Sequence, residues 1–233
     1  MKKIALLLFF VVSLGELLSG LIHLRELHVV CKPLILITLG VYYWLKASQH
    51  RSVVVVGAII FSFGGDTLLM FDTSDAIFFT LGLVSFLISH IFYILAYRQH
   101  RIEKLTDGLQ GIQRIRLAFP VILAGTGLVI VLYPVLGALR FPVMAYALVL
   151  VLMVLNALFR FGRTNGKSFW MVFGGALLFM VSDSLLAINK FLQPLPQSGL
   201  LVMTTYIIAQ YLLVEGLCAH FVSPDKHSST RQQ

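Results

Sequence analysis

Residues 52–71 read SVVVVGAIIFSFGGDTLLMF. One side chain in this run, Asp66, is ionisable, and the run has the roughly 20-residue length that carries a helix across a bilayer core. Backbone groups in lipid must be paired within their own segment, and the residues show none of the apolar-polar alternation of a barrel strand, so a helix is expected. Similar apolar runs fall at about 4–21, 31–46, 76–98, 116–134, 141–161, 168–190 and 198–221. Eight such segments joined by short loops use up a chain of 233 residues and leave no room for a soluble domain. Composition agrees: 58% of residues are hydrophobic, 12% are charged and mean hydropathy is +0.91, outside the range of soluble domains. The fold expected is all-α, a polytopic single transmembrane domain of about eight helices over 1–233, with a short cytoplasmic tail at 223–233.

Lysines and arginines set the orientation. Lys2 and Lys3, Lys46 and Arg51, the group Arg98, Arg101, Lys104, Arg114 and Arg116, then Arg160, Arg163 and Lys167, and finally Lys226 and Arg231 all fall on one side of an eight-helix path. The other side holds only Arg25, Lys32, Arg140 and Lys190. The positive-inside bias therefore places both termini in the cytoplasm and the chain in the cell (inner) membrane. Net charge is +8, but the basic residues sit at the ends of apolar runs, where they snorkel to headgroups, and no basic stretch is interleaved with exposed aromatics. Nucleic acid is not an expected partner; membrane lipid is. Met1-Lys2-Lys3 ahead of an apolar run imitates a signal peptide, yet Glu16 interrupts the run and no A-x-A site follows, so it is read as the first helix. Cys31 and Cys218 are expected near opposite faces, too far apart to pair.

The long basic loop around 98–116 divides the chain into halves, about 1–105 and 112–222. Gly57-Ala58-Ile59-Ile60-Phe61 recurs as Gly175-Ala176-Leu177-Leu178-Phe179, and Asp66-Thr67-Leu68-Leu69 as Asp183-Ser184-Leu185-Leu186. Asp66 and Asp183 are 117 residues apart, as are Gly82 and Gly199, and Tyr93 and Gln210. Two parallel four-helix repeats are expected, clearest for segments three and four against seven and eight.

Intramembrane carboxylates cost roughly 2.5 to 3.5 kcal/mol on insertion scales, so they point to function. Glu16, Asp66 and Asp183 lie on odd-numbered segments, at a common depth of roughly 20 to 22 Å from the cytoplasmic end at 1.5 Å per residue. Equal depth lets the repeated aspartates meet near a pseudo-two-fold axis. Two close carboxylates with little water share a proton, which is the arrangement general acid and base work requires. Glu16 shares a helical face with Ser13 and Ser19, a polar stripe serving either a site or interhelical bonding. Lys32, at the start of segment two, could hold one aspartate charged, bind a lipid phosphate, or snorkel. His90 and Tyr93 share a face of segment four and Tyr206 and Gln210 a face of segment eight, where they could line a polar cavity; Asn156 on segment six is a further candidate. No H-x-x-x-H, C-x-x-C, G-x-S-x-G, P-loop or dinucleotide motif occurs, so a zinc or acyl-enzyme hydrolase is disfavoured.

Taken in order, Lys32-Pro33-Leu34, Phe61-Ser62-Phe63-Gly64-Gly65-Asp66, Gly82-Leu83 through Phe86, His90 and Tyr93, then Gly175-Ala176 through Phe179 to Ser182-Asp183 and Tyr206-Ile207-Ile208-Ala209-Gln210 resemble the YhhN-type lysoplasmalogenases, eight-helix membrane proteins. Gly64-Gly65 departs from the single glycine expected there. The resemblance implies an ether hydrolase that cleaves the vinyl ether of a lysophospholipid substrate, a lysoplasmalogen, to a fatty aldehyde and glycerophosphoethanolamine or glycerophosphocholine, with no cofactor. It maps the catalytic aspartates onto Asp66 and Asp183; Lys32, Glu16, Ser62, His90, Tyr93, Asn156, Ser182, Tyr206 and Gln210 are the candidates for binding substrate or supporting them. A transporter or lipid-binding protein with a midplane polar site is the competing expectation.

Overall fold

A computed structural model describes residues 1–22, 24–71, 76–102 and 108–221. The tail 223–233, with Lys226, His227 and Arg231, and also His23 and Lys104 lie outside the described residues. Eight α-helices follow in order: α1 Lys2–Ile22, α2 Arg25–Ala47, α3 Val53–Leu69, α4 Ala76–Gln99, α5 Gly111–Leu132, α6 Arg140–Leu158, α7 Gly166–Phe191 and α8 Ser198–Ala219. Two 3-10 turns, Tyr133–Val135 and Gly137–Leu139, join α5 to α6. The described residues contain no strand.

Seven of the helices are long and apolar enough to cross a bilayer; α3, with 17 residues, is shorter. Its neighbours nevertheless require it to cross. Ser52, just before α3, donates from Oγ to Gln99 Oε1 at the end of α4 at 2.9 Å, and α3 then runs antiparallel along α4 to the opposite end of the bundle. Large aliphatic side chains such as Leu7, Val11, Ile60, Ile130 and Leu148 face outward, as lipid-facing helices require. The chain is a multi-pass membrane protein.

Two boundaries differ from the hydropathy reading. The second helix begins at Arg25, because Arg25, Glu26 and His28 lower the local hydropathy without breaking the backbone ladder, so Lys32 lies inside α2 and Pro33 is accommodated within it. The fifth begins at Gly111, with Gln113, Arg114 and Arg116 forming a polar first turn and a half.

α3 packs along α4 and α7 along α8, while α4 also lies against α6 and α8 against α1 and α2. Small residues let the helices approach. A Cβ at Gly65 would lie 2.5 Å from the ring of Phe86, and one at Gly64 2.8 Å from Ser85 Oγ, so both glycines of the departing pair are occupied by close contact with α4. Phe86 cannot swing away, being held edge-on by Phe179 and Tyr206 at 6.2 and 6.0 Å between ring centres. Gly65→Ala is expected to cost about 1 to 3 kcal/mol through overpacking, read as a lower unfolding midpoint in detergent. An unchanged midpoint would contradict this packing.

The basic end of the bundle departs from expectation at Arg160. Its guanidinium is fully buried rather than snorkelling. Nε and Nη2 donate to His100 O at 3.1 and 2.9 Å, Nη2 also to Ser168 Oγ at 2.9 Å, and Ser168 Oγ donates to Gly216 O at 2.6 Å. Burial, and then the neighbouring Arg160 charge among other influences, pushes the His100 imidazole down to about 4. One cation thus ties the ends of α4, α6, α7 and α8 together. Cys31 and Cys218 are free and buried.

Candidate active site

The two repeated aspartates occupy the end of the bundle opposite Arg160, each held by a tyrosine. Tyr206 OH donates to Asp66 Oδ2 at 2.7 Å, and Tyr146 OH donates to Asp183 Oδ2 at 2.5 Å. Asp66 is buried and Asp183 nearly so, and their charges lie within electrostatic reach of each other. Tyr93 and Gln210, also 117 residues apart, meet directly, Tyr93 OH donating to Gln210 Oε1 at 2.5 Å. Gln210 Nε2 in turn donates to Ser62 Oγ at 3.0 Å and to Tyr206 OH at 3.2 Å. A buried chain therefore runs from Tyr93 through Gln210 and Tyr206 to Asp66, and it fixes the Tyr206 hydroxyl where the carboxylate needs it.

His90 is fully buried and stands edge-on to Phe179 and Tyr146, with ring centres at 4.7 and 5.2 Å. Neither ring nitrogen has a hydrogen-bond partner among the described residues; Nε2 lies 3.7 Å from Asp183 Oδ2. A buried imidazole with two idle nitrogens is costly, and its position beside Asp183 puts it against that carboxyl rather than in a separate site.

Asp183 opens onto a narrow apolar cavity of about 60 Å³, walled by Leu69, Phe79, Leu83 and Phe86, by Leu128, Val129 and Leu132 of α5, and by Val143, Tyr146 and Leu150 of α6. Its chemistry suits an alkyl chain that ends at a carboxylate.

The remaining sequence candidates separate. Glu16, Ser13 and Ser19 all turn inward; Glu16 Oε1 lies 2.8 Å from His28 Nδ1, and Ser19 Oγ donates to the Glu16 carbonyl at 2.6 Å. Lys32, Glu16 and His28 lie within electrostatic reach of Asp66. Ser62 joins the Gln210 chain and bonds Ser89 at 2.7 Å, whereas Ser182 Oγ is committed to Val202 O at 3.0 Å and stitches α7 to α8. Asn156 does not belong: it sits near the basic end of α6, donating to Leu152 O at 2.8 Å and accepting from Arg98 Nε at 3.2 Å. Its position about three turns from Tyr146 toward that end precludes a contact with the aspartates. Tyr146 was missed, because position 29, its counterpart at the repeat spacing, is a valine and nothing local distinguishes one tyrosine in an aliphatic run. Among the described residues no three His, Cys, Asp or Glu side chains are placed to hold a metal ion.

An all-helical membrane bundle with two tyrosine-held carboxyls, one of them on the wall of an apolar cavity, defines a class of intramembrane protein with a buried acid pair. The chain belongs to the YhhN family, whose sequence profile matches residues 27–217. It is similar to the human lysoplasmalogenase TMEM86B, at 30% identity over 79% of this chain and 72% of that one. The human lysoplasmalogenase TMEM86A is 31% identical over 82% and 75% of the respective chains, and the pig lysoplasmalogenase TMEM86B 34% identical over 67% and 60%. No solved structure matches the chain.

Proposed function

We propose that this protein is a lysoplasmalogenase, hydrolysing the vinyl ether of a lysophospholipid inside the membrane to a fatty aldehyde and a glycerophospho-alcohol. The observation that carries the reading is the carboxyl of Asp183 at the wall of an apolar cavity, with the second carboxyl, Asp66, in electrostatic reach behind it. The family membership and the names of its relatives support the same chemistry.

A vinyl ether breaks when its β-carbon takes a proton, which leaves an oxocarbenium ion on the carbon bonded to oxygen. Water adds there, loses a proton, and the resulting hemiacetal expels the glycerol oxygen to leave the aldehyde. The reaction therefore needs one carboxyl that gives a proton and one that stays charged to stabilise the cation and take the proton of water. Asp66 has the cation Lys32 in reach and suits the charged role, whereas Asp183, faced by apolar side chains, suits the acid. His90, whose Nε2 lies 3.7 Å from Asp183 Oδ2 but which does not line the cavity, is read as a neighbour that tunes that carboxyl. No step calls on a group beyond these side chains.

The basic side of the bundle, with the amino terminus and the Arg160 cluster, is assigned to the cytoplasm of a cell (inner) membrane protein by the distribution of lysine and arginine. The aspartate layer then lies in the outer half of the bilayer.

Purified protein in detergent, supplied with matched vinyl-ether, alkyl-ether and acyl lysolipids, is expected to release aldehyde from the vinyl ethers alone. Movement of intact lysolipid across sealed vesicles without aldehyde would favour a carrier instead. Tyr146→Phe removes the donor to the carboxylate that Asp183 becomes as it gives up its proton, and is expected to lower turnover about 10- to 100-fold, the worth of a hydrogen bond to a charged group. Turnover equal to the parent would remove Tyr146 from the site.

A further inference from the structure

A second chamber of different chemistry is bounded by the end of α1, the start of α2 and the start of α8. Glu16, His28, Gln197, Ser198, Gly199 and Met203 are among its walls. Glu16 is only 2% exposed, and while its Oε1 meets His28, its Oε2 has no hydrogen-bond partner among the described residues. A buried carboxylate oxygen with no donor is costly, so the site calls for one from outside the protein. Across the chamber, the 22-residue α8 begins without a side-chain cap: Gln197 takes a left-handed conformation, φ 52°, and its side chain accepts nothing from the N–H groups of the first turn. The start of a long uncapped helix is positive and favours an anion.

One wall offers an acceptor for a cation and the other a seat for an anion. Met203 lies one turn before Tyr206, which holds Asp66, and Glu16 and His28 are in electrostatic reach of that carboxylate. We propose that this chamber binds the zwitterionic headgroup of the lysolipid, with phosphate at the start of α8 and a primary ammonium donating to Glu16 Oε2. The proposal rests on the hydrolase reading for its orientation: headgroup here, vinyl ether at the aspartates, chain in the apolar cavity. It also sets a preference. A trimethylammonium has no N–H to give Glu16, and among the described residues the lining of this chamber includes no Phe, Tyr or Trp ring to form the aromatic cage that quaternary ammonium ions favour. Ethanolamine lipids are therefore selected over choline lipids.

The test measures binding of two uncleavable alkyl-ether lysolipids, identical in chain and differing only in ethanolamine or choline, to the purified protein in detergent. The parent protein is expected to bind the ethanolamine lipid about tenfold or more tightly, the worth of one hydrogen bond to a charged group. In Glu16→Gln that ratio is expected to collapse toward one through weaker ethanolamine binding. Equal affinities in the parent protein overturn the proposal without recourse to any variant, and so does a ratio that survives in a folded Glu16→Gln protein. Because the probes are not cleaved, an absence of aldehyde from every vinyl ether would defeat the hydrolase reading while the affinity ratio still decides the headgroup site.

Discussion

Asp66→Asn and Asp183→Asn are each expected to cut aldehyde release by about 100- to 10,000-fold, the usual contribution of a positioned acid or base. Asparagine keeps the shape of the side chain and can still accept from Tyr206 or Tyr146, so the packing of both helices is retained and the unfolding midpoint should move little. What disappears is the ability to give a proton to carbon or to take one from water. Because each half of the molecule supplies one carboxyl, the two single variants should fail alike, and the double variant should lose little beyond either one, as groups acting as a unit do. Full turnover by either single variant, in protein that elutes and unfolds like the parent, would defeat the paired-acid mechanism.

Arg160→Ala is expected to produce the largest loss of stability, roughly 3 kcal/mol or more, since it strips donors from the buried His100 carbonyl and the Ser168 hydroxyl in one step. Arg160→Lys should rescue little, because an ammonium on a flexible stem cannot reproduce the planar fork that reaches α4 and α7 together. The measurement is the unfolding midpoint in detergent. A loss of turnover per folded molecule as large as that of the aspartate variants would contradict the separation of this cluster from the aspartates. A midpoint unchanged from the parent would contradict its structural role.

Much of the architecture was legible because lipid imposes a single rule, that each crossing segment pairs its own backbone, and hydropathy follows that rule closely. It fails where the rule relaxes. The first turns of α2 and α5 carry Arg25, Glu26, His28 and Arg114, whose charges hide helical backbone that extends past the apolar core. Arg160 read as an interface charge because its position at the end of an apolar run fits snorkelling. Only the folded chain brings the His100 carbonyl within reach of its guanidinium.

The candidate site was legible to the extent that its residues repeat. Asp66 with Asp183, and Tyr93 with Gln210, share one spacing, and the second pair makes a direct hydrogen bond. Tyr206 was found from its helical spacing to Gln210. Tyr146 was invisible, since it performs for Asp183 what Tyr206 does for Asp66 but from α6, a helix with no repeated counterpart. Asn156 failed for the opposite reason: polarity within an apolar run suggested a site, but its position along α6 sends it to Arg98 instead.

The most direct test of carbon protonation is the mass of the aldehyde formed in deuterium oxide. A carboxyl that delivers its exchangeable hydrogen to the vinyl β-carbon must leave one deuterium on the carbon next to the aldehyde, so promptly trapped product should be heavier by one deuterium substitution. Aldehyde released without that label would mean that the bond breaks by another route, and the acid assigned to the Asp66 and Asp183 pair would have no part in it.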